Sequence, residues 1–195
     1  MSQSNLAYKK EHFTDKDYLE FERNADTKHE FRNGKIVAMA GASDMHNVIS
    51  SNIYGEIYIK LKGSECRPFS SDMRVKAETG SYFYPDIVIT CGEREFEDEE
   101  NDVLINPKVI VEVLSKSTKL KDRNEKFDSY LKLESLTDYV LVEQNEMRIE
   151  HYFRTDENEW KFRLLENAED ELVFNSINCK VFLNEIYTEV ELAPK

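Results

Sequence analysis

No apolar run in this chain approaches the ~20 consecutive residues that a membrane-spanning helix needs. The opening ten residues, MSQSNLAYKK, are polar and lack the apolar centre of a signal peptide. The expectation is therefore a cytoplasmic protein with no membrane partner. Cysteine is scarce as well: Cys66, Cys91 and Cys179 form no CxxC and no metal-like spacing. That argues against a disulfide framework and a zinc ribbon, and reads as buried free thiols. With only 6 glycines and 4 prolines, no linker rich in these residues marks a domain boundary, and no internal repeat is visible. Positive charge is also short. The 26 basic residues face 39 acidic ones, a net −13, which speaks against blanket neutralisation of nucleic-acid phosphates. It leaves room for a metal-dependent site that meets phosphate locally, because a bound divalent ion can be the largest charge in its neighbourhood.

What is present suits a soluble globular protein: 195 residues, 40% hydrophobic and 33% charged, enough for one domain with its own core. The expected unit is 1–195, with 1–12 as a flexible lead. Thr14 followed by Asp17 is close to a capping signature, and Asp15–Arg23 reads as a short helix. Asn33-Gly34, between Glu30–Arg32 and Lys35–Met39, is a strong hairpin signal, because both central positions of a type I′ turn need positive φ. From His46 to Lys62, the residues Val48, Ile49, Ile53, Ile57 and Leu61 fall near one helical face, and Gly63 ends the helix. His46 reads as a helix-start residue.

Short strands follow at Cys66–Phe69 and Met73–Ala77, then a longer one at Tyr82–Cys91 with Pro85 near its entry. Gly92–Asp102 (GEREFEDEEND) reads as a solvated, mobile acidic loop. A helix is expected from about Lys119 to Leu133 and a buried strand at Asp138–Glu143. The tail is a β meander through Glu146–Arg154, Trp160–Glu166 and Leu172–Phe174, with a last short helix expected over Val181–Val190. The strand–helix–strand passage over 109–142 predicts a parallel pair with a crossover. The class is α/β (α+β), with a mixed sheet and a β-rich C-terminal part.

One stretch carries the chemistry. Asn106–Ser115 reads NPKVIVEVLS, and its apolar centre, Val109–Leu114, is interrupted by a single carboxylate, Glu112. Such a run marks a strand buried on both faces, where an ionised carboxylate is costly without a cation or several donors. Asp86 is a second acid in apolar surroundings. If its strand neighbours that of Glu112, the two carboxylates meet at one end of the sheet. Close carboxylates repel unless a cation lies between them, and oxygen donors of this kind suit Mg²⁺ or Mn²⁺. On the crossover helix, Asp122, Lys126 and Tyr130 recur at i, i+4 and i+8 and share one side. Lys126 has two readings, an amine delivered to the site or a solvated lysine paired with Asp122. Glu30 is a metal ligand or pairs across the hairpin with Lys28 or Lys35. Asp72, after two serines, is a turn residue or sits at the rim of the site. Tyr82–Phe83–Tyr84 reads as core packing ahead of a base-stacking platform.

Taken together, Tyr84-Pro85-Asp86, Asn106–Ser115, Ser117-Thr118, Asp122-Arg123, Lys126 and Tyr130 resemble the Uma family of restriction-endonuclease-like proteins, within the PD-(D/E)XK nuclease superfamily. HEFRNGKI, the helix opened by His46, and DYVLVE extend the likeness over roughly residues 14–190. The resemblance implies a core of four mixed strands flanked by helices, acids that bind Mg²⁺, and a lysine that aids phosphodiester hydrolysis. It makes Asp86 and Glu112 metal ligands and matches Glu30 to an additional N-terminal acid. Leu114 stands where the superfamily places its lysine, so Lys126 is the candidate for a migrated one. The implied function is an endonuclease acting on DNA, with a non-catalytic binding or assembly module as the alternative. Tyr152, Phe153, Trp160 and Phe162 make a homodimer an expectation as well.

Overall fold

The computed structural model describes residues 12–115, 125–155, 157 and 159–192. Thr14 caps the first helix, α1 (Asp15–Arg23), through a reciprocal box: its hydroxyl accepts from the Asp17 N–H and its own N–H donates to the Asp17 carboxylate. The hairpin β1 (His29–Arg32) and β2 (Lys35–Ala38) turns at Asn33 and Gly34, both with positive φ (49° and 76°). Helix α2 (Asp44–Lys60) begins on Ser43, whose hydroxyl accepts from the His46 N–H, and it buries Ile49, Ile53 and Ile57.

Then come β3 (Cys66–Ser70), β4 (Arg74–Lys76), β5 (Tyr82–Phe83), β6 (Ile87–Cys91), β7 (Val103–Leu104), β8 (Val109–Leu114), the one-turn α3 (Phe127–Tyr130), and β9 (Asp138–Glu143). The chain continues through β10 (Ile149–Arg154), β11 (Trp160–Leu165), β12 (Glu171–Phe174), β13 (Cys179–Phe182) and α4 (Leu183–Ile186). This is an α+β fold built on mixed sheets. The central sheet runs β11-β10-β9-β8-β6-β3, a second sheet runs β2-β1-β5-β4-β7, and β12 pairs with β13. As the strand–helix–strand pattern required, β8 and β9 are parallel.

The central sheet has a core on each face. One joins Ile49, Ile53 and Ile57 of α2 to Ile87, Ile89, Val109, Val111 and Val113. The other joins Val88, Ile110 and Leu114 to Phe83, Tyr130 and Tyr139. Strand β8 is buried at every position, as its near-continuous apolar run predicts. Among the described residues, no helix is long and apolar enough to cross a membrane.

Four expectations need correction. The strand read over Tyr82–Cys91 is two strands in different sheets. Pro85 removes an N–H and restricts Tyr84, and the chain changes sheets there, leaving Asp86 just ahead of β6. Cys66 and Cys91 are not free thiols: they are register partners in the β3–β6 pair and form a disulfide, a proximity that their separation in sequence conceals. Cys179 is free and buried, and burial pushes its thiol pKa up. The last helix is shorter than read, because Val181 and Phe182 pair with β12.

The acidic segment is exposed at most of its positions, as a solvated loop would be, but it is tied down at Phe96 and at three of its acids. Phe96 bridges to Leu104, the Arg23 guanidinium holds Asp98 and Asp102 at 2.8 Å each, Arg74 also pairs with Asp102, and Lys76 reaches Glu97 at 2.6 Å. Glu97, Asp98 and Asp102 are docked because cations from α1 and β4 face them. Residues 1–11 of the expected lead, Asp122 and the first six positions (119–124) of the helix expected over Lys119–Leu133 lie outside the described residues; over the rest of that span the helix ends at Tyr130, short of Leu133.

The hydrogen bond from Arg23 to Asp102, helped by Arg74, holds the carboxyl below its ordinary value. A depressed carboxylate stabilises the fold above its unfolded pKa of about 4, and that contribution is lost as pH falls through the lower folded value. Asp102→Asn should therefore flatten the fall in stability below about pH 4, read as urea midpoints across an acid series. An unchanged slope would show that the docked segment does not report on this pair.

Candidate active site

Glu30 sits mid-strand in β1 and is buried, as is Glu112 in β8. Each belongs to a different sheet, and what joins them is Lys126, in the turn that leads into α3. Its ammonium lies 3.0 Å from Glu112 Oε1 and 3.1 Å from Glu30 Oε1. All three side chains are nearly closed to solvent, at 6% exposure for the lysine and 5% for each carboxylate. Of the two readings of Lys126, the solvated helix lysine does not hold.

The second oxygen of Glu30 pairs with Arg32. Arg32 also approaches Glu125 at 3.6 Å, and Asn33 donates to Glu125 at 2.8 Å, so the hairpin turn grips the segment that carries Lys126. Neither Lys28 nor Lys35 takes Glu30: Lys28 pairs with Asp72 instead. The ring of Phe83 forms the floor, with the Lys126 ammonium 5.7 Å and the Arg32 guanidinium 5.5 Å from its centroid. Tyr130 packs edge-on to the same ring, and its hydroxyl stands 3.5 Å from Glu112 Oε1.

Asp86 is placed differently. Ile87 pairs with Val111, so one further step of register sets Asp86 against Glu112. Its carboxylate nevertheless turns to other partners. Oδ2 accepts from the Val113 N–H at 2.7 Å and Oδ1 stands 2.9 Å from His46 Nε2. The cation between close carboxylates is thus the chain's own ammonium, and it lies between Glu30 and Glu112. Among the described residues, no three His, Cys, Asp or Glu side chains gather closely enough to hold a metal ion. Asp86 and Glu112, opposed in register, are the pair of carboxylates that could take a hard divalent ion, and Glu30 meets Glu112 through the Lys126 ammonium.

Of the secondary candidates, Tyr130 lies at Glu112, and Asp72 is exposed (81%) beside Lys28 as a turn residue. Tyr82, Phe83 and Tyr84 are core side chains. Sequence reasoning missed two residues that touch the predicted set. Arg32 carried only the signal of its place beside the Asn-Gly turn. His46 carried only its position at the opening of α2.

The family model described as "Putative restriction endonuclease", Uma2, matches residues 15–181. The chain belongs to the Uma2 family. Two proteins of Synechocystis sp. (strain ATCC 27184 / PCC 6803 / Kazusa) are similar over most of their length. The uncharacterized protein sll1609 is 38% identical over 164 residues, covering 83% of this Uma2 chain and 93% of that protein. The uncharacterized protein slr1290 is 34% identical over 172 residues, 88% and 89% respectively. A solved structure from Anabaena variabilis ATCC 29413, described as a "putative nuclease belonging to DUF820", superposes with a TM-score of 0.76 over 90% of this chain and 98% of its own, at 17% identity. At that identity the likeness is one of fold.

In this Uma2 chain, removing the amine leaves two buried carboxylates without their shared cation. Lys126→Met should cost about 3–5 kcal/mol, and the double variant Lys126→Met/Glu112→Leu should recover part of it, since an apolar replacement can match a buried ion pair. Urea unfolding checks this; a loss for Lys126→Met of under about 1 kcal/mol would place the ammonium elsewhere.

Proposed function

We propose that this Uma2 chain is a divalent-metal-dependent endonuclease that hydrolyses phosphodiester bonds in DNA. The observation that carries the reading is the Lys126 ammonium on Glu112 Oε1: it supplies, from the segment entering α3, the amine that β8 lacks at Leu114. Membership in a family described as restriction endonuclease supports it, as does the fold shared with a protein described as a nuclease.

The donor chemistry fits Mg²⁺ or Mn²⁺. Mg²⁺ commonly takes only one or two carboxylates and fills its shell with water and phosphate oxygens, and Asp86 and Glu112 are two such carboxylates at opposed positions. Each Asp86 oxygen already accepts one hydrogen bond and keeps a further lone pair for an ion. Asp86 and Glu112 would hold the metal, with Glu30 as the added acid. When bound, the ion supplies charge stabilisation at a phosphoryl oxygen and a more acidic water.

The chain's own residues do the positioning. Glu30 and Glu112 hold Lys126 between them, and Arg32 fixes Glu30 from behind. Lys126 orients a water or meets negative charge developing on the scissile phosphate. Tyr130 keeps Glu112 in place beside Phe83. A homodimer through the aromatic edge of β10 and β11, where Phe162 is 53% exposed, belongs to the same proposal.

A second reading, a non-catalytic binding or assembly module, draws on the net charge of −13 and on Leu114. The two separate on plasmid DNA with Mg²⁺ or Mn²⁺. The wild-type chain should nick or linearise it, and Asp86→Asn or Glu112→Gln should lower the rate by more than about 100-fold, beyond what outer-shell partners of a metal usually cost. Cleavage that survives both substitutions, in variants shown to be folded by circular dichroism, would overturn the endonuclease reading. A folded wild type without cleavage would favour the module.

A further inference from the structure

Asp86 belongs to no strand, so the sheet ladder does not set its carboxylate. Two side interactions do, one from each of two elements. The Val113 N–H of β8 donates to Oδ2 at 2.7 Å, and His46 Nε2 of α2 meets Oδ1 at 2.9 Å. His46 is itself held. Its backbone N–H donates to Ser43 Oγ at 3.2 Å, and that hydroxyl donates to Gln144 Oε1 at 2.7 Å, just past the end of β9. The imidazole is therefore referenced to the central sheet through the helix cap. Its other nitrogen, Nδ1, is buried with no hydrogen-bond partner among the described residues. Burying a ring nitrogen without a partner costs free energy, so the ring placement favours Nε2 and its contact with Asp86.

Resting on the metal-dependent reading above, we propose that His46 is the positioning residue of Asp86. Its Nε2–H fixes one carboxylate oxygen, the Val113 N–H fixes the other, and together they set the carboxylate plane before an ion arrives. A carboxylate oxygen that accepts one hydrogen bond retains a lone pair for a metal, and partners of this kind orient ligands in other metal sites. His46 acts through Asp86 and is not a ligand.

The test is calorimetric titration of the full chain with Mn²⁺ alone, without DNA, for wild type, His46→Ala, His46→Phe and His46→Gln, each checked for fold by circular dichroism. Phe keeps a ring and removes the donor; Gln places an amide N–H near the position of Nε2. His46→Ala and His46→Phe should weaken Mn²⁺ binding about 10–100-fold, and His46→Gln should stay within roughly threefold of wild type because it keeps a donor. If His46→Ala does not fold, His46→Phe takes its place in the comparison. Wild-type affinity in the Ala or Phe variant overturns the inference, as does a Gln variant as weak as they are. Those results leave the metal-dependent reading standing, whereas a folded wild type that takes up no Mn²⁺ removes both.

Discussion

A buried ammonium between two buried carboxylates is the constraint on which the rest of the site depends. Glu30 comes from the sheet of the hairpin and Glu112 from the central sheet, and Lys126 is the charge that lets both sit away from water. Ion pairs so enclosed gain little net stability over apolar packing, because desolvation offsets the attraction. Their retention therefore points to chemistry more than to stability, as perturbing surroundings often do at functional sites. The elements around the triad hold it still. The Asn33-Gly34 turn brings Arg32 to Glu30 and Asn33 to Glu125, Phe83 closes the floor, and Tyr130 stands against Glu112.

The two acids read as a pair divide between two sets of partners. Glu112 shares Lys126 with Glu30, while Asp86, one register step away, is held by β8 and by α2. Pro85 makes this possible. Because the chain leaves one sheet and enters another there, Asp86 lies outside the ladder and its side chain is free to follow its hydrogen bonds. The divalent ion of the proposed function would thus meet two carboxylates, Asp86 just ahead of β6 and Glu112 on β8, and magnesium commonly takes no more than one or two.

Local signals in the sequence predicted local structure well. The Thr14 box, the Asn-Gly turn, the α2 periodicity and the Val109–Leu114 run each depend on residues close in the chain, and each appears where expected. Glu112 stood out because one charge in an apolar strand needs a partner. What could not be read depends on contacts between distant segments. The Cys66–Cys91 bond follows from the β3–β6 register. The docking of the acidic segment follows from Arg23, Arg74 and Lys76, which lie far from it in sequence. The break at Pro85 was visible as a proline, yet only the sheet order shows that it separates two sheets. His46 and Arg32 gave no chemical signal of their own, since His46 meets Asp86 and Arg32 meets Glu125 and the Phe83 ring only through the fold.

The central claim is that Lys126 is held out of solvent between Glu30 and Glu112, and nuclear magnetic resonance of ¹⁵N-labelled lysine side chains addresses it most directly. Exposed ammonium protons exchange rapidly with water, whereas a buried, hydrogen-bonded ammonium is protected. The account predicts one slowly exchanging lysine ammonium signal near neutral pH that disappears in Lys126→Met and shifts in Glu112→Gln. A spectrum in which every lysine ammonium exchanges as fast as an exposed one, with Lys126→Met leaving it unchanged, would contradict it.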